Sequence, residues 1–234
     1  MTAPVPAGPV SARAPRSPDL GQPTTLLLVR HGRTAYTEQG RFAGGGGPDP
    51  DLSPAGRDDA RRASAVLAAR PAARPLDGLP DPVAVVSSPL RRTRSTAAAV
   101  GAALGLDVRI DEEWTEAGFG AWEGLTYAEV SAGWPEELRR WQGSATVAPP
   151  EGESLDEVVA RVGRARARVT AAFPGSTVVV VSHVTPIRAV VREVLDAGSA
   201  SLWRIRVDPC SITVVRFWAD GGCEVLAVNA VPAP

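Results

Sequence analysis

Three continuous apolar runs punctuate the chain, and each ends in a polar cluster. Leu26-Leu27-Leu28-Val29 passes straight into Arg30-His31-Gly32, Val83-Ala84-Val85-Val86 into Ser87-Ser88-Pro89, and Thr177 to Val181 into Ser182-His183. Uninterrupted runs of this length predict strands buried on both faces of a parallel sheet. Val108-Arg109-Ile110 predicts a shorter one. Between them the period changes to that of helices. Ser53-Pro54 reads as an N-cap with proline in the first turn, opening a helix to about Ala69 with Ala60, Ala63 and Leu67 on one face and a stop before Pro71. A second helix is expected from about Leu90 to Leu104, and residues 126–142 read as helical but broken near Pro135. Ser154-Leu155-Asp156-Glu157 is a capping box. It opens a helix striped by Leu155, Val158, Val159, Val162, Val169 and Ala172 and ended by Pro174-Gly175. Pro186 is expected to start a last helix, to about Leu195. The final stretch alternates instead: Trp203, Ile205 and Val207 against Arg204 and Arg206. Ile212 to Trp218 and Glu224 to Val228 then flank the hairpin-like turn Asp220-Gly221-Gly222. Strands alternating with helices predict an α/β fold with a mostly parallel sheet and antiparallel strands late in the chain. Residues 1–24 are rich in Pro, Ala and Ser and lack periodicity, so a disordered tail ahead of one domain over 25–234 is expected. The tail lacks the apolar core of a signal peptide, which makes the cytoplasm the expected location.

Composition narrows the function. Twenty-five basic and 26 acidic residues leave a net charge of −1, which argues against a generally basic nucleic-acid binder. No apolar run approaches the ~18 residues of a membrane span. The two cysteines, Cys210 and Cys223, cannot build a disulfide framework and are not a CxxC pair; they read as ordinary strand residues. Every basic residue is arginine, so there is no lysine for a Schiff base or a phosphate-binding P-loop. Only two histidines exist, His31 and His183.

Both histidines stand just past the end of a predicted buried strand, where open α/β sheets bind ligands. Taken alone, they could be two unrelated polar residues at strand ends. The arginines change the balance. Arg30 adjoins His31, Arg91-Arg92 lies where the helix after Ser87-Ser88-Pro89 begins, and Arg188 follows His183. Guanidinium forks match phosphate oxygens, and a helix start adds positive potential. Two imidazoles, arginines and a helix N-terminus at one rim describe a site for a dianion.

These residues carry a resemblance. Leu28 to Thr34 (Leu-Val-Arg-His-Gly-Arg-Thr) resembles the RHG signature of the histidine phosphatase superfamily, with its phosphoglycerate mutase-like fold. Ser87 to Thr93, Glu116 to Gly124, Glu151 to Ser154 and Val181 to Arg188 resemble its later motifs, in order, and the likeness extends from about Thr25 to Val231. The resemblance implies a three-layer sandwich with helices on both faces of the sheet. It implies His31 as a nucleophile that becomes phosphohistidine, with Arg30, Arg92 and His183 holding the phosphoryl group. Glu116 would be the acid that protonates the leaving oxygen and then helps water attack. It implies no metal and no cofactor. The charge of Arg30 and Arg92 is expected to push the pKa of His31 down, as an attacking imidazole requires.

Some positions depart from the common pattern. Val184-Thr185 stands where two glycines are frequent, a variant similar to acid-phosphatase domains joined to ribonuclease H domains and to alpha-ribazole phosphatase-like members. The 24-residue tail is too short for a ribonuclease domain. Arg33 replaces a common Glu or Gln, and Thr37 stands where an asparagine often contacts phosphate. Thr34, Thr37 and Arg41 are expected to line the substrate mouth. Glu112, Glu113 and Glu123 compete with Glu116 for the acid role, while Glu123 and Glu153 read as structural. The arginines from Arg161 to Arg168 read as a solvated helix face rather than a nucleic-acid surface. Trp114, Trp122, Trp134 and Trp141 read as core and lid packing. Gly44 to Gly47 is either a mobile mouth loop or a tolerated insertion. The leading function is a metal-independent phosphomonoesterase acting on a small phosphorylated metabolite, with no nucleic acid or membrane partner and a homodimer left open. The alternatives are a phosphoglycerate mutase, for which Arg139 and Arg140 could supply the extra anion grip, and a silent phospholigand-binding module. Pro149-Pro150 passes directly into Glu151-Gly152-Glu153-Ser154 without the longer insertion of mutases, which favours hydrolysis.

Overall fold

A computed structural model of the chain describes residues 21–69 and 78–232. The elements are β1 (Thr24–Arg30), α1 (Ala35–Gln39), α2 (Pro54–Ala68), β2 (Pro82–Ser87), α3 (Arg91–Leu104), β3 (Val108–Ile110), α4 (Tyr127–Gly133), α5 (Pro135–Gly143), α6 (Leu155–Ala172), β4 (Thr177–Ser182), α7 (Val184–Val194), β5 (Ile212–Phe217) and β6 (Cys223–Ala230). They form a three-layer α/β sandwich around one sheet of order β3-β2-β4-β1-β5-β6. The block β3-β2-β4-β1 is parallel, and β5 and β6 close the other edge antiparallel.

Alternation along the buried strands divides the core. Leu26, Leu28, Val86, Val178 and Val180 face one layer, where Val158, Val162 and Val169 of α6 and Ile187 and Val190 of α7 pack on them. Leu27, Val29, Val85, Val179 and Val181 face the other, against Leu67 of α2 and Ala97 and Val100 of α3. Each such fully buried aliphatic side chain stabilises the fold by about 1.5–3 kcal/mol. This two-sided burial is the physical reason the strands read as unbroken apolar runs. Ser154 caps α6 through the expected reciprocal pair with Glu157, and Pro135 separates α4 from α5.

Several boundaries differ from expectation. β1 begins at Thr24, one residue earlier, because the Thr24 hydroxyl donates to the Phe173 carbonyl at 3.1 Å and accepts from the Gly175 amide at 3.0 Å. Of the rest of the expected tail, residues 21–23 are irregular chain and residues 1–20 lie outside the described residues, as does Pro71. α7 begins at Val184 rather than Pro186, with His183 as its N-cap. The alternating stretch from Trp203 to Val207 is not a strand. It is a 3-10 turn over Ser199–Trp203 followed by irregular chain. Its carbonyls meet side chains instead of a neighbouring strand: Arg188 Nε donates to Ile205 O at 2.7 Å and Arg30 Nη1 to Val207 O at 2.8 Å. Cys210 sits in the turn before β5, and Cys223 opens β6. Among the described residues no helix is long and apolar enough to cross a membrane.

Candidate active site

Strand register brings the histidines together. β1 and β4 are parallel neighbours with Arg30 opposite Ser182, so the next residues, His31 and His183, emerge side by side. Their ring centroids are 5.2 Å apart and the planes are inclined by 60°. His31 is 5% exposed and His183 is fully buried. His31 Nδ1 lies 2.7 Å from the Gly32 carbonyl. A carbonyl only accepts, so Nδ1 carries the proton and Nε2 keeps its lone pair. His183 Nε2 pairs with Ser88 Oγ at 2.8 Å, leaving Nδ1 buried and unpartnered. Ser88 arrives there because β2 pairs with β4 with Ser87 opposite Val181.

Two guanidinium groups flank the pair. Arg92 is fully buried; Nη2 donates to Ala43 O at 2.8 Å and Gly44 O at 3.3 Å, and Nη1 meets Asp49 Oδ1 at 3.4 Å. The Nε atoms of Arg30 and Arg92 are buried without a partner, like His183 Nδ1. Unpartnered buried nitrogens also occur on Trp114, Trp122, Trp141, Arg192 and Arg216; these three are set apart by standing among the two imidazoles and the two guanidinium groups. The start of α3 is not free for that ligand: Asp49 accepts the Arg91 amide at 2.9 Å. At Gly44 the glycine loop packs closely: a Cβ there would overlap Glu123 Oε1 and Ala117 O, so the close fit that seats Arg92 requires glycine, whereas Gly46 meets open space.

Burial first, then the charges of Arg92 and Arg30, hold the His31 imidazole well below its ordinary pKa. Burial, Arg92 and His31 do the same to His183. The arginine effect expected from the sequence is present but second to desolvation. This has a consequence for stability. Below the ordinary histidine value of about 6.5 the unfolded chain binds protons that the native state refuses, so stability is full above that pH and declines as pH falls. Each imidazole contributes a slope of up to about 1.4 kcal/mol per pH unit between its native and unfolded pKa. Tm should therefore fall steadily from about pH 7 to 5, before ordinary carboxylates titrate; a flat Tm across that window would contradict two neutral buried imidazoles.

Glu116 is 7% exposed and is clasped by main-chain donors: Val184 N at 3.1 Å, Thr185 N at 3.2 Å and Ala117 N at 2.9 Å. The positive end of α7 thus holds this carboxylate in the cleft. Arg161 secures its loop from behind, donating to the carbonyls of Glu113 (2.9 Å), Thr115 (2.6 Å) and Glu116 (3.1 Å) while forking onto Glu153 at 2.7 and 2.8 Å. The competing glutamates are elsewhere. Glu112 is exposed, Glu113 pairs with Arg164 and Arg168, and Glu123 accepts the amides of Gly44 and Phe119. In the arginine run on α6, Arg164 and Arg168 are exposed, as expected of a solvated face, and pair with Glu113 and Asp111, whereas Arg161 is a half-buried brace and Arg166 pairs with Glu193 above the Phe217 ring.

Arg30, His31 and Glu116 line one end of a cleft of about 250 Å³. Thr37 and Arg41 also line it, as expected. Thr34 does not serve as a mouth residue: it is 1% exposed, and its hydroxyl caps α1 by accepting the Thr37 amide at 3.1 Å. Arg33 forks onto Asp59 of α2 at 2.7 and 2.8 Å. Trp114 and Trp122 are core, whereas Trp141 reaches the cleft wall and meets Trp203 edge-on at 4.6 Å. Ser88, Asp49 and the Arg161–Glu153 brace were not singled out as site residues by the sequence. Only Ser88 carried a signal, its place after a strand end beside β4.

Comparison with known proteins gives the family. The model of the histidine phosphatase superfamily (branch 1) matches residues 26–231. The chain is 44% identical over 228 residues to the bifunctional protein Rv2228c of Mycobacterium tuberculosis, covering 96% of this chain and 60% of that protein. It thus spans about three-fifths of the length of that relative. It is 34% identical to phosphoserine phosphatase 1 of Hydrogenobacter thermophilus over 82% of this chain and 86% of the relative. Among solved structures, mycobacterial glucosyl-3-phosphoglycerate phosphatase Rv2419c in complex with VO3 superposes with a TM-score of 0.77 at 32% identity, over 88% of this chain and 99% of that one. By motif order, by strand-end geometry and by the extent of the match, the chain belongs to the histidine phosphatase superfamily, branch 1.

Proposed function

We propose that the protein is a phosphomonoesterase that hydrolyses a small phosphorylated metabolite through a phosphohistidine on His31. The observation that carries this reading is the paired imidazoles 5.2 Å apart, with buried unpartnered nitrogens on His183, Arg30 and Arg92. His31 Nε2 attacks phosphorus, and the P–O bond to the leaving group breaks as Glu116 gives that oxygen its proton. Nδ1–H bonded to the Gly32 carbonyl steadies the positive charge that the ring acquires. Arg30, Arg92 and His183 hold the equatorial oxygens, where charge accumulates in a loose transition state. Water then attacks phosphorus as Glu116 takes its proton, the P–N bond breaks, and neutral His31 is restored with inorganic phosphate. Fixed guanidinium groups supply the positive charge that a metal supplies in other phosphoryl-transfer sites. The activities named for the similar phosphatases, on phosphoserine and glucosyl-3-phosphoglycerate, support a phosphate monoester as substrate. The cleft is smaller than the roughly 300–1,000 Å³ of pockets for drug-sized ligands, which favours a small one. The mutase alternative loses its anion grip, because Arg139 and Arg140 are exposed on α5 and Arg139 pairs with Glu136.

The test is phosphate release from a panel of p-nitrophenyl phosphate, sugar phosphates, phosphoglycerates and alpha-ribazole phosphate, with and without a chelator. Release from at least one ester, unchanged within about twofold by the chelator, is expected from guanidinium rather than metal catalysis. No release from any of them, or loss on chelation, would overturn the proposal.

A further inference from the structure

Arg188 lines the same cleft as His31 and Glu116, yet it is not part of the cluster that would hold the phosphoryl group. It stands on α7 one turn beyond Val184, whose amide binds Glu116. Helical side chains lean toward the N-terminus, so its guanidinium points back toward the Glu116 end of the cleft. Its Nε is fixed on Ile205 O at 2.7 Å, while its two terminal nitrogens have no hydrogen-bond acceptor and no ion pair among the described residues. Of the other cleft arginines, Arg30 binds Val207 O and is given above to the phosphoryl oxygens, and Arg41 holds Gly124 O at 2.7 Å and Glu129 at 3.3 Å. Phe42, Phe119, Trp141 and Trp203 line the same cleft and offer no competing charge. An oriented arginine fork with two open nitrogens, in the cleft that holds the group that protonates the leaving oxygen, is a seat for a carboxylate.

We infer that Arg188 binds a carboxylate carried by the leaving group, so that the preferred substrates are phosphate monoesters of short hydroxy acids. This rests on the phosphomonoesterase reading above. The cleft volume of about 250 Å³ limits the leaving group to a short one.

The experiment compares kcat/KM for 3-phosphoglycerate with that for glycerol 3-phosphate, which has the same carbon count and no carboxylate, in the parent and in Arg188→Met and Arg188→Lys. The parent should favour the carboxylated ester by about tenfold or more, the effect of one charge-assisted hydrogen-bonded contact. Methionine should bring the ratio close to one, chiefly through KM, and lysine should leave an intermediate ratio because it keeps the charge and loses the fork. Inhibition of the parent provides a reading that needs no variant: phosphonoacetate should bind about tenfold more tightly than methylphosphonate. Equal ratios in parent and methionine variant, or equal inhibition by the two phosphonates, would overturn the assignment of Arg188 while leaving phosphatase activity standing. Release of phosphate from no ester at all, p-nitrophenyl phosphate included, would remove both.

Discussion

Alanine at position 31 should lower kcat on an aryl phosphate by about 10⁴-fold or more, the scale seen when a covalent nucleophile is deleted. The fold should survive the change. The lost imidazole is held neutral by burial and by Arg92 and Arg30, so its removal leaves no uncompensated buried charge. It leaves the Gly32 carbonyl without one donor and opens a void beside His183, costs of about 1–3 kcal/mol. His183 is not a second nucleophile in this account, because its Nε2 pairs with Ser88 Oγ and its Nδ1 is assigned to a phosphoryl oxygen. The check is steady-state phosphate release beside a thermal melt. A variant as active as the parent would reject the assignment of the nucleophile.

Glutamine at position 116 should produce a loss that depends on the leaving group. With alkyl phosphates, whose departing oxygen needs a proton, the first step should slow by about 10²–10⁴-fold, the usual range for general acid catalysis. With 2,4-dinitrophenyl phosphate the phenolate leaves unassisted, so the first step should be nearly unchanged. Water attack on the phosphohistidine still lacks its base. A burst of dinitrophenolate followed by a slow steady state is therefore expected. Glutamine also cannot be held as the carboxylate is: Val184, Thr185 and Ala117 present only N–H donors, and one end of the amide offers no acceptor. An equal loss on both substrates, without a burst, would mean that Glu116 serves only as a positioning group.

How much of this was readable beforehand follows from the physics of each part. The parallel strands were legible because burial on both faces removes polar residues from them, and the helices because their caps and breaks are local. Both histidines were legible as strand-end residues. Their adjacency was an expectation of the resemblance, since composition alone does not state that β1 and β4 are neighbours; the sheet order supplies that. Arg161 was misread for a related reason. Its spacing places it on the flank of α6, but the five hydrogen bonds it makes there depend on Glu153 and on a loop distant in sequence. Trp203 to Val207 misled in the opposite direction. Alternation of period two needs a partner strand, and there the guanidinium groups of Arg188 and Arg30 take the carbonyls. The glycine run was undecidable without knowing that Glu123 and Arg92 pack against it.

Arg92 shows how the pieces depend on one another. It is buried without full compensation, its acceptors being two loop carbonyls and one distant Asp49 oxygen. Desolvation lowers its pKa, and Glu116 and Asp49 act against that.

The most direct measurement is to quench the enzyme in alkali during turnover of a phosphate monoester, where phosphohistidine survives, and to map the modified peptide by mass spectrometry. A phosphoryl group on the imidazole of His31, lost on acid treatment and missing from the His31→Ala protein, is the predicted result. A phosphoryl group on any other residue, or turnover with no phosphorylated protein at any time, would contradict it.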